Sequence, residues 1–517
     1  MMTQAQETSK RASRRSTRPG AAEPPVRRPD YRNLVNPFRP QPVFNEDRLA
    51  EIHDTALRVL EELGMLVHLP EARETYRRAG ALVDDESRMV RIGRDIVIEA
   101  LAKAPKSIEA RGGDPARNLL LELGRMYFIG GGGAPNCTDI ERGRRPGMLA
   151  DFEDFVRLAQ TFDVIHFQGA HVEAQDIDQR HRHYAVNRAQ LVLSDKLPFL
   201  YARGTPQVED GFEMVRLARG LSHDDFLAAP YSYTVINTNS PRQLDIPMGQ
   251  GIIDFARYGQ ISIITPFCLA GAMAPITVAG ALTLQHAEAL AGITLAQHTR
   301  PGAPVVYGSF LSNVDMKSGA PAFGTPEHVK ATLGSGQLAR HIGLPWRGGG
   351  GSAANISDAQ AAHETQFGLW GAVLAGVTVL IHSAGWLEGG LANSFEKFVT
   401  DVEALQTIAE LFVATPGDSD SIGFDAIAAV DPGGHFFAGE HTMARYRTAF
   451  YEPLVADLSN FGSWSNAGSR DATQRAHRIF RKRIAEFQPP AASAAIAEAL
   501  EPFTARRKAE GGALPVS

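Results

Sequence analysis

Residues 261–309 read ISIITPFCLAGAMAPITVAGALTLQHAEALAGITLAQHTRPGAPVVYGS. Ile261 to Thr265 is short, apolar and β-branched, as a strand covered on both faces must be. Thr277 to His298 carries apolar residues over helical length, and Val305 to Ser309 returns to a short apolar run. Strand, helix and strand in this order make one β-α-β unit, and its repetition along the chain decides the fold. Upstream lie the strand candidates Tyr127 to Gly130, Val164 to Gly169, Pro198 to Ala202 and Tyr231 to Ile236; downstream lie Leu344 to Trp346 and Val377 to Ile381. Helical stretches separate them at Leu149 to Thr161, Arg180 to Ser194, Val208 to Leu221, Leu244 to Tyr258 and Glu327 to Ile342. Ser357-Asp358-Ala359-Gln360 reads as a capping box opening a helix through Leu374, and Phe395 to Leu411 supplies the last helix. Eight strands with eight helices predict a (β/α)8 TIM barrel over residues 116–413, since an open doubly wound sheet would stop nearer six.

The flanks differ in composition. Residues 1–45 are rich in Arg, Ser, Thr and Pro, poor in large apolar side chains, and read as a disordered basic tail with no apolar run of a targeting segment. Residues 46–115 read as a small α+β module: a helical stripe through Ile52, Ala56, Leu57 and Leu60, extended runs at Met65 to Leu69 and Met89 to Ile92, and a joint at Gly112 to Pro115. Residues 414–490 are expected to form a helical C-terminal extension, and residues 491–517 a tail.

With 44% hydrophobic and 21% charged residues, the chain as a whole is globular. A net charge of −6 gives no general basic field for nucleic acid, and no apolar run reaches membrane-spanning length. Two cysteines, Cys137 and Cys268, exclude a disulfide framework and fit a cytoplasmic protein.

A barrel places its active site beyond the C-terminal ends of its strands, so the residues following each strand become the candidates. The string Gly130 to Gly133 opens no helix and meets no phosphate-loop pattern; Gly348 to Gly351 precedes a helix and is a better candidate for holding an anion. A zinc site drawing on Cys137, Cys268 and His382 is conceivable, with buried inert cysteines as the plainer alternative. Tyr307, Phe310, Trp346 and Trp386 sit at or past the last three strands, with Asp315 and Glu388 nearby. Aromatic faces with a carboxylate form a cage for a quaternary ammonium, which has no directed hydrogen bond to offer. The ordinary alternative is that both tryptophans pack helix against barrel.

Gly385-Trp386-Leu387-Glu388-Gly389-Gly390-Leu391 with Ser394-Phe395-Glu396-Lys397 resembles the signature of the trimethylamine methyltransferase family of corrinoid-dependent methyltransferases. Asn237-Thr238-Asn239-Ser240-Pro241, Ala270 to Pro275, Tyr307-Gly308, Asp358 to Ala361, Gly433 to Phe436 and His441-Thr442 resemble further stretches of that family, from about Tyr31 to Phe487. The resemblance implies a TIM barrel and transfer of a methyl group from an amine to Co(I) of a corrinoid (cobalamin) carried by a separate protein, with no metal held by this chain. Founding members carry pyrrolysine, whereas this chain has standard residues only; members without it are associated with quaternary amines such as glycine betaine. On that reading Tyr307, Phe310, Trp346 and Trp386 form the cation cage, and Glu388 and Asp315 supply compensating charge. Asn237, Asn239 and Ser352 position the substrate, Arg203 or Arg347 meets a carboxylate, and His382 and Glu388 are the candidates for acting at the reacting groups. A zinc-dependent barrel methyltransferase and a non-catalytic onium-binding protein are the rival classes. The expected partners are a small quaternary amine and a corrinoid protein, without nucleic acid or membrane, in a homo-oligomer.

Overall fold

A computed structural model describes residues 29–516. The chain is mixed α/β and divides into two compact units: Asp30–Ala414 together with Pro453 onward, and a smaller one built from Thr415–Glu452. The smaller unit holds the short helices Ser419–Ile422, Phe424–Ala428 and Glu440–Arg445.

In the larger unit the strands Arg125–Phe128, Val379–Ile381, Trp346–Gly349, Val305–Gly308, Ile261–Ile264 and Tyr233–Ile236 lie side by side in that order, all parallel. Single parallel bridges continue from Ile129 to Phe167, from Phe167 to Leu197 and from Phe199 to Tyr233. Six of the expected strands are therefore ladders, while Val164 to Gly169 and Pro198 to Ala202 contribute isolated bridges. Pro198 lacks the N–H a ladder needs, which shortens the pairing there. The helices Leu149–Gln160, Gln179–Leu193, Thr205–Ala218, Ile246–Arg257, Val278–Thr299, Pro326–Ile342, Ala359–Ala375 and Phe395–Phe412 fall where the sequence places them, within a few residues. The cap of Ala359–Ala375 differs from the expected box. Asp358, not Ser357, accepts from the Ala361 amide, and Gln360 turns outward to Glu364.

Val278–Thr299 is buried nearly all round, because the helices Glu46–Arg58 and Arg94–Lys103 cover the side that would otherwise face water. The expected joint at Gly112 to Pro115 is instead the turn of a hairpin, Ser107–Ala110 against Leu119–Glu122. Its Ile108, Leu119 and Leu121 join the same apolar cluster as the inward-facing strand residues, so it packs beneath the sheet and no boundary falls at residue 115.

Two expected tails are ordered in part. The segment 1–28 lies outside the described residues, but Leu34–Val35 pairs antiparallel with Arg125–Phe128 and Tyr31 is buried. At the other end Ser493–Ala509 is a helix packed on Gln179–Leu193 and Thr205–Ala218 through Ile496, Leu500 and Phe503. Among the described residues no helix is long and apolar enough to cross a membrane.

Candidate active site

Alternation along each strand sorts side chains into two layers. Tyr127, Tyr233, Ile261, Ile263, Val306, Val379 and Ile381 share one apolar cluster with Phe167 and Phe199, on one face of the strands. Their neighbours Phe128, Ile264, Val305, Tyr307, Trp346 and Leu380 belong to the other cluster, against the helices. Tyr307 and Trp346 thus point away from the face that carries this first cluster, contrary to the sequence expectation. The Tyr307 hydroxyl is within hydrogen-bond distance of Gln285 (3.3 Å) and His286 (3.0 Å), and Trp346 Nε1 donates to the Gly376 carbonyl at 2.8 Å. The residue after Trp346 necessarily faces inward, and it is Arg347.

Above the inner cluster, at the C-terminal ends of the strands, opens a cavity of ≈ 750 Å³. Phe310, Trp386, His382, Arg347, Asn237 and Asn239, all candidates in the sequence, line it. Phe199, Tyr201, Tyr233, Phe267, Met248 and Met273 line it as well and were not singled out. The first three belong to strand segments; reading only past the strand ends missed them, although their alternation would have pointed inward.

The glycine string 348–351 has a different task from anion binding. A Cβ on Gly349 would lie 2.3 Å from Phe310 Cδ2, and one on Gly351 would lie 2.0 Å from Trp386 Cε3. Gly390 is equally close, at 2.4 Å from Trp386 Cζ2. Bare backbone is what lets two large rings lie against the wall. Gly351 also has φ +107°, so Gly351→Ala combines backbone strain with a clash. The expected result is a loss of about 2–4 kcal/mol on denaturant unfolding together with a shifted tryptophan emission. Wild-type stability and emission in that variant would contradict this packing.

His382 stacks on the indole of Trp386 at 3.8 Å, covering one of its faces. Burial and the neighbouring Arg347 hold its pKa well below the usual imidazole value, so the ring is neutral near pH 7. Among the described residues its Nδ1 has no hydrogen-bond partner, and its backbone sits at φ +61°, an uncommon conformation for a non-glycine residue.

Carboxylates serve the cavity from behind its walls. Glu364 Oε2 accepts from Ser352 Oγ (2.6 Å) and the Ala353 amide (2.8 Å), fixing the loop after Trp346–Gly349. Ser352 is therefore fully buried in this brace and does not reach the cavity as expected. Asp401 accepts from the Gly385 amide at 2.8 Å and holds the next loop. Glu173 pairs with Arg203 at 2.6 Å and with Arg182 at 3.2 Å. The two acids expected to compensate a bound cation lie elsewhere. Glu388 faces Arg144 at 2.9 Å, and Asp315 caps an exposed turn through Ser318.

Charge inside the cavity is consequently one-sided. Arg203 and Arg347 are the lining residues with a formal charge, and no carboxylate lines the cavity among the described residues. Arg203 is neutralised by Glu173 and lies over the Tyr201 ring at 4.3 Å. Arg347 is 1% exposed and lies over the Phe310 ring at 4.6 Å. Among the described residues its guanidinium donates one long bond, to the Ser309 carbonyl at 3.3 Å, and its Nε has no partner. Burial without a counter-ion pulls its pKa down to about 9, which still leaves it protonated near neutral pH. Such a cation is costly unless an anion joins it.

Cys137 and Cys268 are both buried, and desolvation raises both thiols above their ordinary pKa. Cys137 faces Arg145 and Cys268 faces Ser240. Among the described residues no group of three or more His, Cys, Asp or Glu is placed to hold a metal ion.

The cavity thus has aromatic walls and a buried cation at the C-terminal ends of parallel strands. Residues 8–512 match the trimethylamine methyltransferase (MTTB) family, and the chain belongs to it. It is 34% identical over 472 residues to a glycine betaine methyltransferase of Desulfitobacterium hafniense strain Y51, covering 91% of this chain and 98% of that protein. It is 30% identical over 474 residues to the trimethylamine methyltransferase MttB of D. hafniense strain DSM 10664 / DCB-2, covering 91% and 94%. Among solved structures, the monomethylamine methyltransferase of Methanosarcina barkeri aligns over 86% of this chain and 92% of that one, at 10% identity and a TM-score of 0.45.

Proposed function

We propose that this chain is a methyltransferase that takes a methyl group from a zwitterionic quaternary amine, glycine betaine or a close analogue, and passes it to a corrinoid carried by a separate protein. The bridges at Phe167, Leu197 and Phe199 are read as completing an eight-stranded (β/α)8 barrel around the inner cluster. The observation that carries the substrate is Arg347, a buried cation without a carboxylate at the base of an aromatic-lined cavity. A ligand with one carboxylate and one quaternary ammonium supplies the missing anion and brings a cation suited to aromatic surroundings, leaving the cavity charge unchanged. A plain onium would add a second positive charge beside Arg347, which disfavours choline or protonated trimethylamine.

Phe310 and Trp386 are proposed to contact the N-methyl groups, joined by Tyr201, Tyr233 and Phe267; Asn237 and Asn239 add polar contacts at the wall. Neutral His382 fixes the Trp386 ring and takes part in no proton transfer, which the reaction does not need. A quaternary nitrogen leaves as a neutral tertiary amine, keeping the C–N electron pair. The corrinoid, when bound with its partner, supplies the nucleophile that accepts the methyl group. This chain's residues bind the donor, orient one N-methyl group towards the mouth and exclude water.

The test is to mix protein, glycine betaine and chemically reduced cobalamin, following the cobalt absorption spectrum and dimethylglycine release. Both should change only when protein, donor and reduced corrinoid are all present. Dimethylglycine formed without any corrinoid would overturn the proposal.

A further inference from the structure

Asn237 reaches the cavity from the loop 237–242, and among the described residues its side chain makes no hydrogen bond of its own. What keeps that loop in place comes from the neighbouring helix Val278–Thr299. Glu288 is fully buried there, and three donors converge on its carboxylate. Oε2 accepts from Ser240 Oγ at 2.6 Å and from Thr238 Oγ1 at 2.9 Å, and Oε1 accepts from the Arg242 amide at 2.7 Å. Ser240 Oγ also lies 2.8 Å from Cys268 Sγ, on the short strand Phe267–Ala270 that directly follows Ile261–Ile264. Asn239 is tied down as well, its Oδ1 accepting from the Asp245 amide at 3.1 Å. Arg242 adopts φ +54°, a conformation that an external constraint must maintain. Two hydroxyls and an N–H arriving together suit an acceptor-only side chain; a carboxamide would turn an NH2 towards at least one of them.

We infer that Glu288, which touches no ligand, is a positioning residue that fixes Asn237 in the cavity by holding the 238–242 loop from behind. The inference rests on the cavity being the ligand site, and its tests separate the two. Glu288→Gln keeps size and removes one acceptor, and should raise the dissociation constant for glycine betaine about tenfold. Made in an Asn237→Ala background, the same change should have less than about a twofold effect, because the group it positions is gone. An equal loss in both backgrounds, or no loss in either, overturns the inference. Thr238→Val, which deletes one of the three donors, carries the same cycle if Glu288→Gln fails to fold. Should glycine betaine fail to bind the unaltered protein, the substrate proposal falls while this one is still decided by amide hydrogen exchange. Glu288→Gln must then speed exchange within residues 237–242 with the rest of the chain unchanged, and unchanged exchange there overturns it.

Discussion

Arg347→Met is expected to do two opposite things: to weaken glycine betaine binding by two to three orders of magnitude, and to raise the melting temperature of the ligand-free protein. The guanidinium is buried and, among the described residues, has no carboxylate partner and donates one long bond, so the empty cavity carries the cost of an unpaired charge. Methionine has similar length, is apolar, and removes that cost. With ligand present, the balance reverses. The substrate carboxylate loses its only unpaired cation, and truncating one member of a buried charged pair typically costs about 2–5 kcal/mol. That corresponds to a factor of roughly 30 to several thousand. Calorimetric titration and a thermal melt on the same preparation give both numbers. A variant that binds as tightly as wild type, or that is destabilised without ligand, would place Arg347 among the structural residues instead.

Lys397→Met is expected to lower the free energy of unfolding by about 3–5 kcal/mol. Lys397 Nζ lies 2.7 Å from Asp401 Oδ2 and 2.7 Å from Thr365 Oγ1, and both members of the ion pair are buried. Removing the ammonium strands the Asp401 carboxylate, whose pKa burial raises and Lys397 lowers, with the Gly385 amide as its remaining donor. Replacing the pair together, Lys397→Met with Asp401→Leu, should cost less than the single change, since no charge is left unpaired. Denaturant unfolding of the single and double variants decides it. A single variant of wild-type stability would contradict the account of how the loop carrying Trp386 is anchored.

Much of this architecture is legible in the sequence. Six apolar runs became parallel strands and the eight helices fell close to their expected places, because a two-sided buried strand and a long helix have unlike lengths and compositions. What failed was the orientation of single side chains. Trp346 and Tyr307 stand at the right height and face the helices: alternation from Val306 turns Tyr307 outward, and the pairing of Arg347 with Val379 turns Trp346 outward. The same alternation assigns Arg347 to the inside, where sequence had offered it only as one of two arginines. Glu388 and Asp315 were expected beside the ligand because they follow the strands, yet a carboxylate at a loop tip meets the nearest surface donor first, here Arg144 and Ser318. Glu288 sits within a helix 46–50 residues along the chain from the loop it holds, and Glu364 in a helix 10–12 residues past its own; no local pattern announces either. Leu34 is held by pairing with Arg125–Phe128 and Tyr31 by Glu410 and His166, long-range partners that composition alone does not reveal.

The central claim is that the cavity selects a zwitterion. Calorimetric titration of the unaltered protein with glycine betaine, with choline, and with 3,3-dimethylbutanoate, in which carbon replaces the charged nitrogen, tests it most directly. The account predicts that glycine betaine binds tightest: choline is weaker by at least about tenfold because it leaves Arg347 unpaired, and the carbon analogue is weaker because it gives up as much as ~2 kcal/mol of cation–aromatic attraction. Choline binding as tightly as glycine betaine, or the carbon analogue matching it, would contradict the claim.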